Sequence, residues 1–94
     1  MREAELVRRI KAALEAGGAW VMKVHGGPYQ AAGIPDLIVC VSGELVALEV
    51  KTPKRRSNVS ALQKATMEAI ERAGGEAYVV TSVEEAGDAV FVNM

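Results

Sequence analysis

The stretch Asp36-Leu37-Ile38-Val39-Cys40-Val41-Ser42-Gly43-Glu44-Leu45-Val46-Ala47-Leu48-Glu49-Val50-Lys51 decides the fold. Two β-rich runs, 36–41 and 45–51, flank Ser42-Gly43-Glu44, and Ser-Gly is a hairpin turn signal, so the runs are expected to pair antiparallel. A turn centred between Ser42 and Gly43 sets residue 41 opposite 44, 39 opposite 46 and Asp36 opposite Glu49. Directly opposed side chains have Cβ atoms about 4.5–5.5 Å apart, and like charges there destabilise a sheet, so something cationic is expected between the two acids. Alternation places Lys51 on the face of Glu49, one strand step of about 7 Å further on, and turns Val46, Leu48 and Val50 towards apolar packing.

Two hard carboxylates converging from neighbouring strands, with positions left for water and phosphate, suit Mg²⁺ or Mn²⁺ better than zinc. A cation so held can acidify water and polarise a phosphoryl oxygen, while the Lys51 ammonium positions the water or offsets charge on phosphorus. This is the chemistry of phosphodiester hydrolysis. On charge pattern alone, a solvated network in which Lys51 merely neutralises Asp36 and Glu49 fits equally well.

Outward from the hairpin, Leu6, Val7, Ile10, Ala13 and Leu14 recur at helical spacing over Glu3 to Ala16, and Gly17-Gly18 ends that helix. Trp20 to Val24 reads as a strand, and His25 to Pro35 as a Gly- and Pro-containing loop. On the other side, Thr52 to Val59 is polar and basic. Ser60 opens a second helix, with Gln63 at capping-box spacing and Gly74-Gly75 as its stop. Ala77 to Val80 is a further strand, Ser82 and Glu85 repeat the capping-box spacing before a short helix, and Val90 to Val92 is a final apolar segment. The order αβββαβ, with an extra tail, predicts an α/β fold: a mixed central sheet flanked by helices.

A chain of 94 residues, half of them apolar and 24% charged, has the size and balance of one folded domain over residues 1–94. No apolar run reaches the roughly 20 residues needed to span a bilayer, the start lacks a secretory signal, and the single Cys40 excludes an internal disulfide; a reducing cytoplasm fits. The net charge of −1 conceals a polarity: residues 1–64 carry ten Lys or Arg against six Asp or Glu, whereas residues 65–94 carry one against six. Because salt screens charges beyond about 10 Å, the basic part can attract a polyanion on its own.

Pro35-Asp36, followed after twelve residues by Glu49-Val50-Lys51, resembles the PD-(D/E)XK nuclease signature. With Gly33-Ile34-Pro35-Asp36-Leu37, Leu48-Glu49-Val50-Lys51, Ser60-Ala61-Leu62-Gln63-Lys64 and Gly74-Gly75, nearly the whole chain is similar to the VRR-NUC branch, the viral replication and repair nuclease domain. It is similar also to archaeal Holliday junction resolvases. The resemblance implies a restriction-endonuclease-like core and a Mg²⁺- or Mn²⁺-dependent DNA endonuclease that leaves a 5′-phosphate and a 3′-hydroxyl. It further implies that Asp36 and Glu49 bind the metal, that the Val50 carbonyl is a further ligand, that Lys51 acts on water or phosphate, and that Gln63 orients water or a DNA phosphate. The family also uses a glutamate of the first helix. At 100° per residue Glu3 falls in the stripe of Val7, Ile10 and Leu14 and Glu5 nearly opposite, so Glu3 is the expected member; a frayed Glu3 serving only the helix dipole is the alternative.

Lys54, Arg55 and Arg56 follow the metal-binding strand and, with Lys64, are expected to grip phosphates; Lys23 and His25 border the Gly26-Gly27 loop as further candidates. Tyr29 is a weak base-stacking candidate, and Trp20, Cys40 and Met67 are assigned to packing. A domain this small has no accessory module, so a homodimer is expected, and two sites across a two-fold axis would suit a four-way junction. The phage-like minimal size leaves two rivals open: a non-enzymatic DNA-binding domain, and a nuclease subunit that needs a replication or repair partner.

Overall fold

A computed structural model describes residues 1–25 and 32–92. Gly26, Gly27 and Tyr29 lie outside the described residues. The order is α1 (Glu3–Ala16), β1 (Trp20–Lys23), β2 (Leu37–Val41), β3 (Glu44–Val50), a 3₁₀ turn (Pro53–Arg55), α2 (Ala61–Arg72), β4 (Glu76–Val80), α3 (Val83–Gly87) and a closing π-type turn (Asp88–Val92). The four strands stand in the order β1-β2-β3-β4; β1 to β3 run antiparallel, and β4 joins β3 in parallel after the α2 crossover. The fold is the expected α/β class with a mixed sheet.

The hairpin takes the expected register, Val41 against Glu44, Val39 against Val46 and Leu37 against Leu48. Its turn has φ of 51° at Ser42 and 79° at Gly43, the doubly positive geometry whose twist matches the flanking strands. β2 begins one residue later than expected, so Asp36 sits just before the strand, where the Val24 N–H still donates to its carbonyl at 2.9 Å.

One sheet face is the core. Leu37, Val39, Val46, Leu48, Val50 and Val80 meet Leu6, Val7, Ile10 and Leu14 of α1 and Ala86, Ala89 and Val90 of the last turns. Each fully buried leucine or isoleucine there contributes about 2–3 kcal/mol by leaving water. α2 lies on the other face, presenting Gln63, Thr66, Met67 and Ile70 at i, i+3, i+4, i+7 spacing; these are only half-buried. Met67 packs as expected.

Trp20 and Cys40 do not. Trp20 is 59% exposed, and Cys40 is exposed beside it in the register, because α2 packs over β4 and leaves the β1–β2 half of its face uncovered. Among the described residues, no helix is long and apolar enough to cross a membrane.

Candidate active site

Pro35 leads into the hairpin, and between it and β2 the Asp36 carboxylate extends the ladder: the Val50 N–H donates to its Oδ2 at 2.7 Å. Asp36 is thereby pinned across from Glu49, as the register arithmetic requires. Gly33 sets the approach to this point. Its φ of +85° is open to glycine, and a Cβ there would lie 2.6 Å from the backbone oxygen of Leu62, so the Gly33-Ile34-Pro35 segment packs directly on the first turn of α2.

That contact brings α2 to the acids. Glu49 is 3% exposed, the one buried charged residue among those described. Its Oε2 accepts from Gln63 Nε2 at 2.8 Å and pairs with Lys51 Nζ at 3.3 Å. Burial first, and then the neighbouring Asp36 carboxylate, push the Glu49 carboxyl from 4.5 up to about 7, with Lys51 pulling in the opposite direction.

Gln63 does two things at once. Its amide oxygen accepts the Ser60 N–H at 2.9 Å while its own N–H donates to Ser60 Oγ at 3.1 Å, completing the capping box, and the same side chain's NH₂ reaches Glu49. The two roles coexist because the N-terminus of α2 faces the end of the sheet where Asp36 and Glu49 stand.

The donor set fits a hard divalent cation. Among the described residues, no N–H donor takes Asp36 Oδ1 or Glu49 Oε1, and the two carboxyl groups lie close enough to interact directly. Mg²⁺ is commonly held by one or two carboxylates, with water and substrate phosphate completing its shell. A dication would also relieve the carboxylate repulsion that raises Glu49.

Glu3 stands apart from this pair. It is exposed, and among the described residues no group of three or more His, Cys, Asp and Glu side chains is gathered to hold one ion. The wheel argument fails at the helix end: burial of α1 begins only at Leu6, so Glu3 occupies an exposed first turn beside Arg2, which makes no side-chain cap. Glu5 is turned to Arg8 and Arg9, at 3.5 and 3.2 Å. Val50 is fully buried on the core face, its N–H committed to Asp36.

Of the expected phosphate-binding residues, Lys54 and Arg55 are exposed on the 3₁₀ turn and Lys64 is exposed on the first turns of α2. Lys23, by alternation, is on the sheet face opposite Asp36 and Glu49, and His25 is exposed just beyond β1. Arg56 is already engaged, with its guanidinium paired to Glu85 and donating to Thr81 Oγ1 at 3.2 Å. Ser82 and Glu85 stand at capping-box spacing, and Ser82 Oγ does accept the Glu85 N–H at 3.0 Å, but the Glu85 carboxylate takes the Thr81 N–H at 2.6 Å instead of closing the box on Ser82. Desolvation would raise Glu85, yet its bonds from Arg56 and from the Thr81 backbone hold it below its ordinary value.

Residues 22–84 match the family described as the VRR-NUC domain. No curated protein matches the chain at significance. A solved structure described as a VRR_NUC domain superposes with a TM-score of 0.77 at 23% identity, covering 98% of this chain and 97% of the other. Hjc, a Holliday junction resolvase from the archaeal hyperthermophile Archaeoglobus fulgidus, superposes with a TM-score of 0.57 at 19% identity over 84% of this chain and 67% of that one. Both share the fold of this chain.

Proposed function

The chain belongs to the VRR-NUC domain family, which its residues 22–84 match, and from that premise we propose that it is a DNA endonuclease hydrolysing phosphodiester bonds with Mg²⁺ or Mn²⁺. The observation that carries this reading is the pairing of Asp36 and Glu49 at one end of the sheet, each with an oxygen that meets no N–H donor among the described residues, beside Lys51 and Gln63. Asp36 and Glu49, with the Val50 carbonyl, would hold the ion. When bound, a divalent cation supplies Lewis acidity to a phosphoryl oxygen and to a water.

The chain's own residues do the rest. The bond from Val50 fixes Asp36, and Gln63 and Lys51 together fix Glu49, so the site needs little rearrangement before phosphate arrives. Lys51, held at 3.3 Å from Glu49, places its ammonium where negative charge grows on the phosphorus oxygens. Hydrolysis on this reading leaves a 5′-phosphate and a 3′-hydroxyl.

Four-way junctions are the favoured substrate, a reading supported by the shared fold with a Holliday junction resolvase. A homodimer supplies the second cut. The uncovered apolar side chains Trp20, Met22 and Leu45, 59%, 45% and 44% exposed along the free edge strand β1 and its neighbours, are a surface suited to a second copy.

The test is cleavage of junction, flap, nicked and duplex DNAs with Mg²⁺ or Mn²⁺ by the wild type, Asp36→Ala and Glu49→Ala. Wild-type cleavage lost in both variants supports the proposal. No cleavage of any substrate overturns it in favour of a DNA-binding domain or a partner-dependent subunit, and activity that survives both substitutions overturns the assignment of the site to Asp36 and Glu49.

A further inference from the structure

We propose that Glu85, acting through Arg56, is a positioning residue that holds the basic turn Pro53–Arg55 beside Lys51 for contact with the DNA backbone. The inference rests on the nuclease reading above and reassigns Arg56 from phosphate contact to support.

The geometry is a clasp over the parallel strand ends. The ladder between β3 and β4 continues one residue past β3, where the Lys51 N–H donates to the carbonyl of Val80, the last residue of β4, at 3.0 Å. The two chains then diverge, one into the 3₁₀ turn and the other into α3. Glu85 ties them together again. Its Oε1 accepts the Thr81 N–H at 2.6 Å and lies 3.3 Å from Thr81 Oγ1, while its Oε2 pairs with Arg56, which also donates to Thr81 Oγ1 at 3.2 Å.

The cap geometry makes this possible. In a reciprocal capping box a Glu85 oxygen would accept the Ser82 N–H; here Oε1 accepts the Thr81 N–H one residue earlier, at the strand end, and Oε2 meets a guanidinium 29 residues earlier in the chain. Thr52 to Arg56 carries no strand pairing, and the backbone bonds that hold it are short-range turns: Arg55 N–H to Thr52 O at 2.9 Å, Arg56 N–H to Pro53 O at 3.4 Å and Asn58 N–H to Arg55 O at 2.9 Å. No residue of the turn is buried. A turn so lightly held needs an outside anchor to keep Lys54 and Arg55 aimed, and Arg56 is the side chain that supplies one.

The experiment uses Glu85→Gln and Arg56→Ala in the full chain. Glutamine still accepts the Thr81 N–H, so Glu85→Gln removes chiefly the ionic hold on Arg56. Without DNA, Glu85→Gln should raise the rate of tryptic cleavage after Lys54 and Arg55 several-fold at temperatures well below unfolding. With DNA, each single variant should weaken binding by roughly three- to tenfold, the double variant no more than the weaker single, and the slope of log affinity against log salt should stay unchanged, because no phosphate contact is removed.

Arg56→Ala that flattens the slope by about one, with Glu85→Gln binding as well as or better than wild type, would show that Arg56 touches phosphate and would overturn the proposal. Unchanged tryptic rates would overturn the clasp itself. A wild type that binds no DNA would defeat the nuclease reading and the DNA half of this inference together, while the tryptic comparison still decides whether Glu85 orders the turn.

Discussion

Gln63 Nε2 donates to Glu49 Oε2 at 2.8 Å while the amide oxygen of the same side chain caps α2 through the Ser60 N–H. One side chain thus couples the start of a helix to the buried acid of the candidate site, and truncating residue 63 removes both bonds. Gln63→Glu separates the roles: a carboxylate still accepts the Ser60 N–H but faces Glu49 as a like charge. Cleavage should fall at least tenfold with helix content by circular dichroism unchanged. Wild-type rates in this variant would show that the donor to Glu49 is dispensable.

The raised Glu49 carboxyl makes metal-free stability depend on pH. Its folded-state value of about 7 lies above the ordinary 4.5, so the folded protein prefers the protonated acid. The stabilising contribution is therefore complete below about 4.5 and is lost as pH rises through about 7. The Tm of metal-free wild type should fall relative to Glu49→Gln across that window, and Mg²⁺ should restore it above pH 7. Parallel Tm curves for the two proteins would refute the burial argument.

Gly33 and Gly43 both have positive φ, 85° and 79°, but only Gly33 faces a wall, the Leu62 backbone oxygen 2.6 Å from a would-be Cβ. Gly33→Ala should cost about 3 kcal/mol by combining strain with overpacking, against about 1 kcal/mol for Gly43→Ala, as read by urea unfolding. Equal losses would mean that the Asp36 segment is not clamped on α2.

Lys54 and Arg55 are exposed on the 3₁₀ turn, and on the proposed reading they meet phosphate. Replacing both with Ala should lower the salt slope of DNA binding by about two, near 0.9 per lost contact. An unchanged slope would place the DNA elsewhere on the protein.

Trp20→Asp tests the proposed dimer face. Light scattering should show a dimer for wild type and a monomer for the variant, with Tm little changed because Trp20 is 59% exposed. A wild-type monomer at assay concentrations, or a Trp20→Asp dimer, would remove this face from consideration.

Much of the fold was legible because its signals are local. The Ser42-Gly43 turn, the two-residue alternation on either side of it and the glycines ending α1 and α2 act over a few residues, and they were enough to set Asp36 against Glu49. Ser60 and Gln63 announced the α2 cap for the same reason. Local signals misled where the outcome depended on what another element covers. Glu3 sits on the right stripe of α1 but ahead of its first buried residue, and Trp20 and Cys40 look like core yet lie where α2 does not reach.

The amino-acid order by itself determined the hairpin, its register and the identity of the two acids and the lysine, because backbone pleat and turn geometry repeat at fixed short intervals. Only the tertiary structure decided that Gln63 would reach Glu49, that burial would raise that acid, and that Arg56 would find Glu85 rather than solvent. Those outcomes depend on how α2 and α3 are set against the sheet, and that placement follows from close packing at points such as Gly33 on Leu62, between residues far apart in the chain.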